Sequence, residues 1–92
     1  MLQITHHAQA RLQQRGIPAN VVENLLAFGR HAYDHWGGTI LFFDHKARNQ
    51  LRRQIANESY KQIESHLDTY AVLGADGVIV TVGHRTQRIN RH

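Results

Sequence analysis

Residues 67–84 read LDTYAVLGADGVIVTVGH. Leu67–Leu73 and Val78–Val82 are rich in β-branched and aromatic side chains, and Gly74-Ala75-Asp76-Gly77 lies between them. An Asp-Gly pair flanked by such runs predicts an antiparallel hairpin, because only residues tolerant of positive φ close so tight a turn. Upstream the period changes. Ala47, Leu51 and Ile55 stand four apart, followed by Tyr60, Ile63 and Leu67. This spacing predicts helix over about residues 45–66, either continuous or broken near Ala56–Ser59. Further upstream, Arg30–Trp36 and Thr39–Asp44 flank Gly37-Gly38 and predict a first hairpin. Two short helices precede it. Thr5 is placed to cap one that ends at Gly16; Pro18 opens the next, whose apolar stripe runs Val21, Val22, Leu25, Leu26 and Phe28 to the stop at Gly29.

The order is helix, helix, strand pair, helix, strand pair. It predicts a single α+β domain over residues 1–92, with two N-terminal helices packed on a small antiparallel sheet and an additional helix between the strand pairs. A chain of 92 residues, 41% apolar and 20% charged, suits one modest core. It has no cysteine, which excludes disulfide scaffolds, thiol nucleophiles and cysteine-held zinc or iron–sulfur centres. Its longest apolar runs fall far short of the roughly 20 residues that span a bilayer, and the start MLQITHHAQ lacks the pattern of a secretory signal. A soluble cytoplasmic protein, with no membrane partner, is the expectation.

Charge is unevenly spread. The net +4 resides in residues 45–92, where Lys46, Arg48, Arg52 and Arg53 form one acid-free run and Arg85, Arg88 and Arg91 another. Eight histidines add positive charge as pH falls toward 6. Guanidinium groups match phosphate in a two-pronged way, so a polyanion is the favoured partner. The plain alternative is solvation of a small basic protein.

Four constellations could carry chemistry. His7, Arg11 and Arg15, each four apart, share one stripe of the first helix, where an Arg could neutralise a phosphate while a His one turn away moves a proton; an ordinary solvated face is the alternative. Gly83-His84-Arg85-Thr86-Gln87-Arg88 at the end of the last strand offers His, Arg and hydroxyl groups as an anion site, against the alternative of a frayed tail. The bases of residues 46–53 form stripes, Lys46 with Arg53 and Arg48 with Arg52, able to track a phosphate backbone. His31, Asp34 and His35 are metal-ligand types, but on a strand residues four apart stand about 13 Å apart, which argues against one shared ion. Glycine-rich phosphate loops, nucleophile elbows and carboxylate clusters for two-metal chemistry are not found.

Two stretches also carry a resemblance. THHAQARLQQRGIPANVV (residues 5–22) resembles the opening of a family of small bacterial proteins of unknown function, with the signature His-Ala-x-x-Arg-[Leu/Met]-x-x-Arg-Gly-Ile; His7, Ala8, Arg11, Leu12, Arg15, Gly16 and Ile17 match it. That family is grouped with the barnase–EndoU–colicin–RelE superfamily of metal-free ribonucleases, many of them toxins of toxin–antitoxin pairs. GVIVTVGHRTQRI (residues 77–89) is similar to the last strand of RelE/ParE-type toxins, with Ile89 where their tyrosine falls, so no tyrosine role carries over.

The resemblance implies a RelE/barnase-like fold and a metal-independent, cofactor-free endoribonuclease. A base takes the proton of an RNA 2′-hydroxyl, which attacks the neighbouring phosphorus; an acid protonates the departing 5′-oxygen, and cations hold the anionic intermediate. His7 and His84 are the expected proton-transfer groups, Arg11 and Arg85 the phosphate clamps. Arg15, Lys46, Arg48, Arg52, Arg53 and Arg88 would hold the RNA backbone. The implied partners are RNA, free or on the ribosome, and a cognate antitoxin protein. Two other classes stand beside this: a non-catalytic module that binds nucleic acid or inhibits a host protein, and an assembly subunit that forms a homodimer through the Val21–Phe28 stripe or a strand edge.

Overall fold

The computed structural model describes residues 2–33 and 37–85. Thr5 is in extended backbone, and its hydroxyl accepts the Ala8 amide at 3.1 Å, which caps α1 (His6–Arg15) as its position in the sequence suggests. Gly16 follows the helix, and α2 (Ala19–Phe28) begins after Pro18, which is the capping residue rather than the first helical one. Strands β1 (Arg30–Tyr33) and β2 (Thr39–Phe42) form the first hairpin. The expected extension of β1 through Asp34, His35 and Trp36 lies outside the described residues.

The helical region divides in two. Asp44 caps α3 (His45–Gln54) by accepting the Ala47 amide at 2.8 Å. Ile55 and Ala56 are extended, and α4 (Asn57–Ile63) then runs into a single 3-10 turn, Glu64–His66. The break lets Ile55 pack against the core while α4 turns Ile63 into it. β3 (Thr69–Leu73) begins two residues later than its composition suggests, because Leu67 packs into the core from a helical turn. β4 (Ile79–His84) continues two residues beyond Val82.

The sheet order is β1-β2-β3-β4, antiparallel throughout. The outer edge of β4 is covered at its start by the N-terminal segment: Thr5 donates to the Ile79 carbonyl at 2.9 Å and Ile79 donates to Gln3 at 3.0 Å. Among the described residues this makes an α+β arrangement of four α-helices and a four-stranded antiparallel sheet, in the expected element order. No helix among them is long and apolar enough to cross a membrane.

Residues paired across neighbouring strands share a face, so the sheet has two sets of rows. Leu41, Ala71 and Val82 form one row and enter a single core with Ala8 and Leu12 of α1, Val21, Val22 and Leu25 of α2, Ala47 and Leu51 of α3, and Ile63 of α4. The alternate rows hold Ile40, Val72 and Thr81, and Arg30, Phe42, Tyr70 and Gly83. These side chains take no part in that core.

Candidate nucleic-acid interface

The antiparallel order brings the end of β2, the start of β3 and the end of β4 together at one end of the sheet. The Arg85 amide donates to the Asp68 carbonyl at 2.7 Å, which holds the chain in register one residue past the strand. Its side chain turns toward β2: the guanidinium lies 5.2 Å from the centre of the Phe42 ring, and Nη2 donates to the Phe43 carbonyl at 3.3 Å. Arg48, on α3, reaches the same carbonyl through Nε at 3.2 Å. Its Nη2 is shared between the Leu67 carbonyl at 3.2 Å and Asp68 Oδ1 at 3.1 Å.

Two guanidinium groups therefore converge on one neutral oxygen. Asp68 is the nearby acid, but its side chain is 71% exposed, and an ion pair so open to water contributes little. The Arg85 pKa is lowered, first by burial and then by the Arg48 charge, against smaller opposing effects of Asp68 and Asp44. Arginine stays charged at any physiological pH, so this lowering reflects partial desolvation of the cation and the neighbouring Arg48 charge. The Arg85 Nε is also shielded from solvent and has no hydrogen-bond partner among the described residues. A buried donor without a partner is costly, and a phosphate oxygen would satisfy both the donor and the charge.

The α1 stripe meets β4 at its edge. Thr5 Oγ1 donates to the Val80 carbonyl at 3.3 Å, and Arg11 Nε donates to Val82 at 3.4 Å. Arg11 thus caps an edge carbonyl that no strand covers. These two anchors make α1 and β4 run in the same direction. Arg15, one turn beyond Arg11, is exposed, as is His84, which pairs across the ladder with Thr69. His7, also exposed, lies one turn behind Arg11. The structure thus brings Arg48 and Arg85 together at the Phe43 carbonyl and sets Arg11 against β4 at Val82, while His7, Arg15 and His84 are exposed.

The basic helix face does not act as one stripe. Arg52 lies against Tyr60, 5.3 Å from the ring centre, and donates to its hydroxyl at 3.2 Å; that hydrogen bond, then the hydroxyl's charge, raises the Arg52 pKa. Lys46 lines a shallow open cleft of about 170 Å³ with Phe28, Gly29, Gln50 and the Arg30–Asp44 ion pair, 3.3 Å long. Arg53 is exposed. Arg88, with Thr86 and Gln87, lies outside the described residues, as do Ile89 and the metal-ligand types Asp34 and His35.

Asp68 and the Phe43 carbonyl were not legible as parts of a site. An isolated acid and a backbone oxygen carry no pattern, and only the pairing of β2, β3 and β4 makes them neighbours. No family model matches this chain, and neither a curated protein nor a solved structure is significantly similar to it.

Proposed function

We propose that this chain is a metal-independent endoribonuclease of RelE/barnase-like type, a cytoplasmic toxin that binds RNA at the β4 end of the sheet. The observation that carries the reading is the convergence of Arg85 and Arg48 on one neutral carbonyl, with the buried Arg85 Nε unpartnered and the exposed His84 next in sequence. His84, one residue before Arg85, is a group able to move a proton near neutral pH. In the reaction a base removes the 2′-hydroxyl proton, the oxygen attacks phosphorus, and the 5′-oxygen leaves with a proton from the acid. The products are a 2′,3′-cyclic phosphate and a free 5′-hydroxyl. Arg85 and Arg11 balance the charge that develops on the phosphoryl oxygens. His84 is one proton-transfer group and His7 the other; Arg15, Lys46, Arg48, Arg52, Arg53 and Arg88 hold the flanking backbone. A cognate antitoxin would cover this end with an acidic segment.

One observation favours a second reading. Arg11 and Arg48 already donate to backbone carbonyls, which occupies donors that a phosphate would need. A module that binds RNA without cutting it needs the cations alone.

The test is incubation of the protein with total RNA and with labelled single-stranded RNA in excess EDTA, with and without ribosomes, beside His7→Ala, Arg11→Ala, His84→Ala and Arg85→Ala. Cleavage that survives EDTA and disappears in the His84 and Arg85 variants supports the enzyme. Intact RNA that is retained in a gel shift selects the binding module. Intact RNA that is not retained refutes both.

A further inference from the structure

The two edges of the sheet differ. On β4, Ile79 is bonded to the N-terminal segment, and the Thr5 and Arg11 side chains donate to the Val80 and Val82 carbonyls. On β1 no such cover occurs among the described residues. Natural sheets blunt an open edge with proline, bulges or unpaired charge. Arg30–Tyr33 has no proline and no bulge, and Arg30 is ion-paired with Asp44 at 3.3 Å.

The ladder fixes which residues of β1 face outward. Arg85 donates to the Asp68 carbonyl, one position beyond the Thr69–His84 pair, so that pair exchanges no backbone bonds and Tyr70–Gly83 is a bonded pair. Alternation leaves Ala71–Val82 unbonded, in keeping with the Val82 carbonyl facing Arg11. The Ala71 amide and carbonyl therefore point to β2, and those of its partner Leu41 point to β3. His31, opposite Leu41, directs its N–H and C=O away from β2, as does Tyr33 two residues on. Their side chains are equally open. Both lie on the face that Leu41 and Ala71 fill with core, yet both are exposed, Tyr33 by 83%, so the helical layer stops short of β1.

We infer that β1 is a self-pairing edge, at which two copies of this chain join antiparallel and merge their four-stranded sheets into one. A twofold axis perpendicular to the sheet matches the faces only where odd positions meet odd and even meet even. Centring on Ala32 sets His31 opposite the second copy's Tyr33, and every new backbone bond comes from outward-facing groups. Centring on His31 would set two histidines against each other and draw in Gly29, whose amide already donates to Leu25. The other self-association surface in the sequence, the Val21–Phe28 stripe, is used up: Val21, Val22 and Leu25 are buried in the core, and Leu26 and Phe28 pack against it. Arg85 stays outside the contact, because β1 and β4 are opposite edges, so the inference stands apart from the RNA reading. Strands this short bury little area, and the dimer is weak, with a dissociation constant on the order of 10–1,000 μM.

The test is sedimentation equilibrium of wild type, Tyr33→Lys and His31→Pro from about 10 μM to about 2 mM, bracketing that range. Wild type is expected to pass from monomer to dimer, and its His31 and Tyr33 amides to gain protection from hydrogen exchange as it does. Tyr33→Lys places a charge on the edge, and His31→Pro removes an N–H that β2 does not use; each is expected to weaken association by about tenfold or more. Wild type that stays monomeric throughout overturns the inference, and so does a dimer that both variants form as readily. Loss in Tyr33→Lys alone, with His31→Pro folded and dimeric, overturns it too, since the contact would then not use the strand backbone. Should His31→Pro fail to fold, by circular dichroism, Tyr33→Lys and the concentration dependence of the two amides decide.

Discussion

The two ends of the β3–β4 hairpin are built on opposite terms. At the turn, Gly74 donates to Val78 at 2.9 Å, Gly77 donates to Gly74 at 3.0 Å, and Asp76 Oδ1 accepts the Val78 amide at 3.2 Å. Gly77 holds φ +84°, which a side chain would strain, and Ile79 is tied on both sides to the N-terminal segment. At the other end, Thr69 Oγ1 and Arg85 Nε are buried without partners among the described residues, and two guanidiniums share one carbonyl. Buried polar groups are nearly always paired, so this end is the less satisfied of the two. The closed end keeps the hairpin together; the other end is where the proposed ligand would bind.

Substitution can break that contrast. Arg85→Ala is expected to lower RNA turnover about 100-fold or more, some 2.7 kcal/mol, while the melting temperature stays within a few degrees of wild type. A large loss of stability instead would make Arg85 a structural strut and erase the difference between the ends. Arg48→Ala sits between the two roles. It removes donors from Phe43, Leu67 and Asp68, and should cost about 1–3 kcal/mol in urea titration as well as weakening RNA binding. At the closed end, Gly77→Val should cost about 1–2 kcal/mol with RNA affinity unchanged below the melting transition. Thr5→Ala, which removes the α1 cap and the bond to Val80, should cost about 1 kcal/mol in the same titration and likewise spare binding. The smallest effect is the most direct probe of the Arg85 end. Inorganic phosphate at its own dissociation constant should stabilise the wild type by about 0.4 kcal/mol and leave Arg85→Ala where it was. Equal stabilisation of both proteins would place the anion elsewhere.

Much of the architecture was legible in local chemistry. The Thr5 cap, the Asp-Gly turn and the four-residue spacing of Ala47, Leu51 and Ile55 each depend on neighbours a few residues away, and each appears where the pattern puts it. The ends of β3 and β4 were harder to locate. Leu67 reads as strand because it is apolar, yet it is buried from a turn, and the ladder rather than composition extends β4 to His84. The cations show the same limit. Arg48 and Arg52 share a helix stripe, but one is held by carbonyls of β2 and the turn before β3, the other by Tyr60. Helical spacing shows which side chains are neighbours on one helix; it says nothing of what the next element brings against them.

The sequence by itself determined an α+β chain with two helices ahead of two strand pairs, and a positive second half, because caps, turns, periodicity and charge act over short separations. It also marked His84 and Arg85 as worth attention. Long-range packing settles that Arg85 and Arg48 meet at Phe43, that Arg11 donates to the β4 edge at Val82, and that the Tyr70 ring packs against Gly83. These contacts join residues distant in the chain, and strand pairing and core packing bring them together.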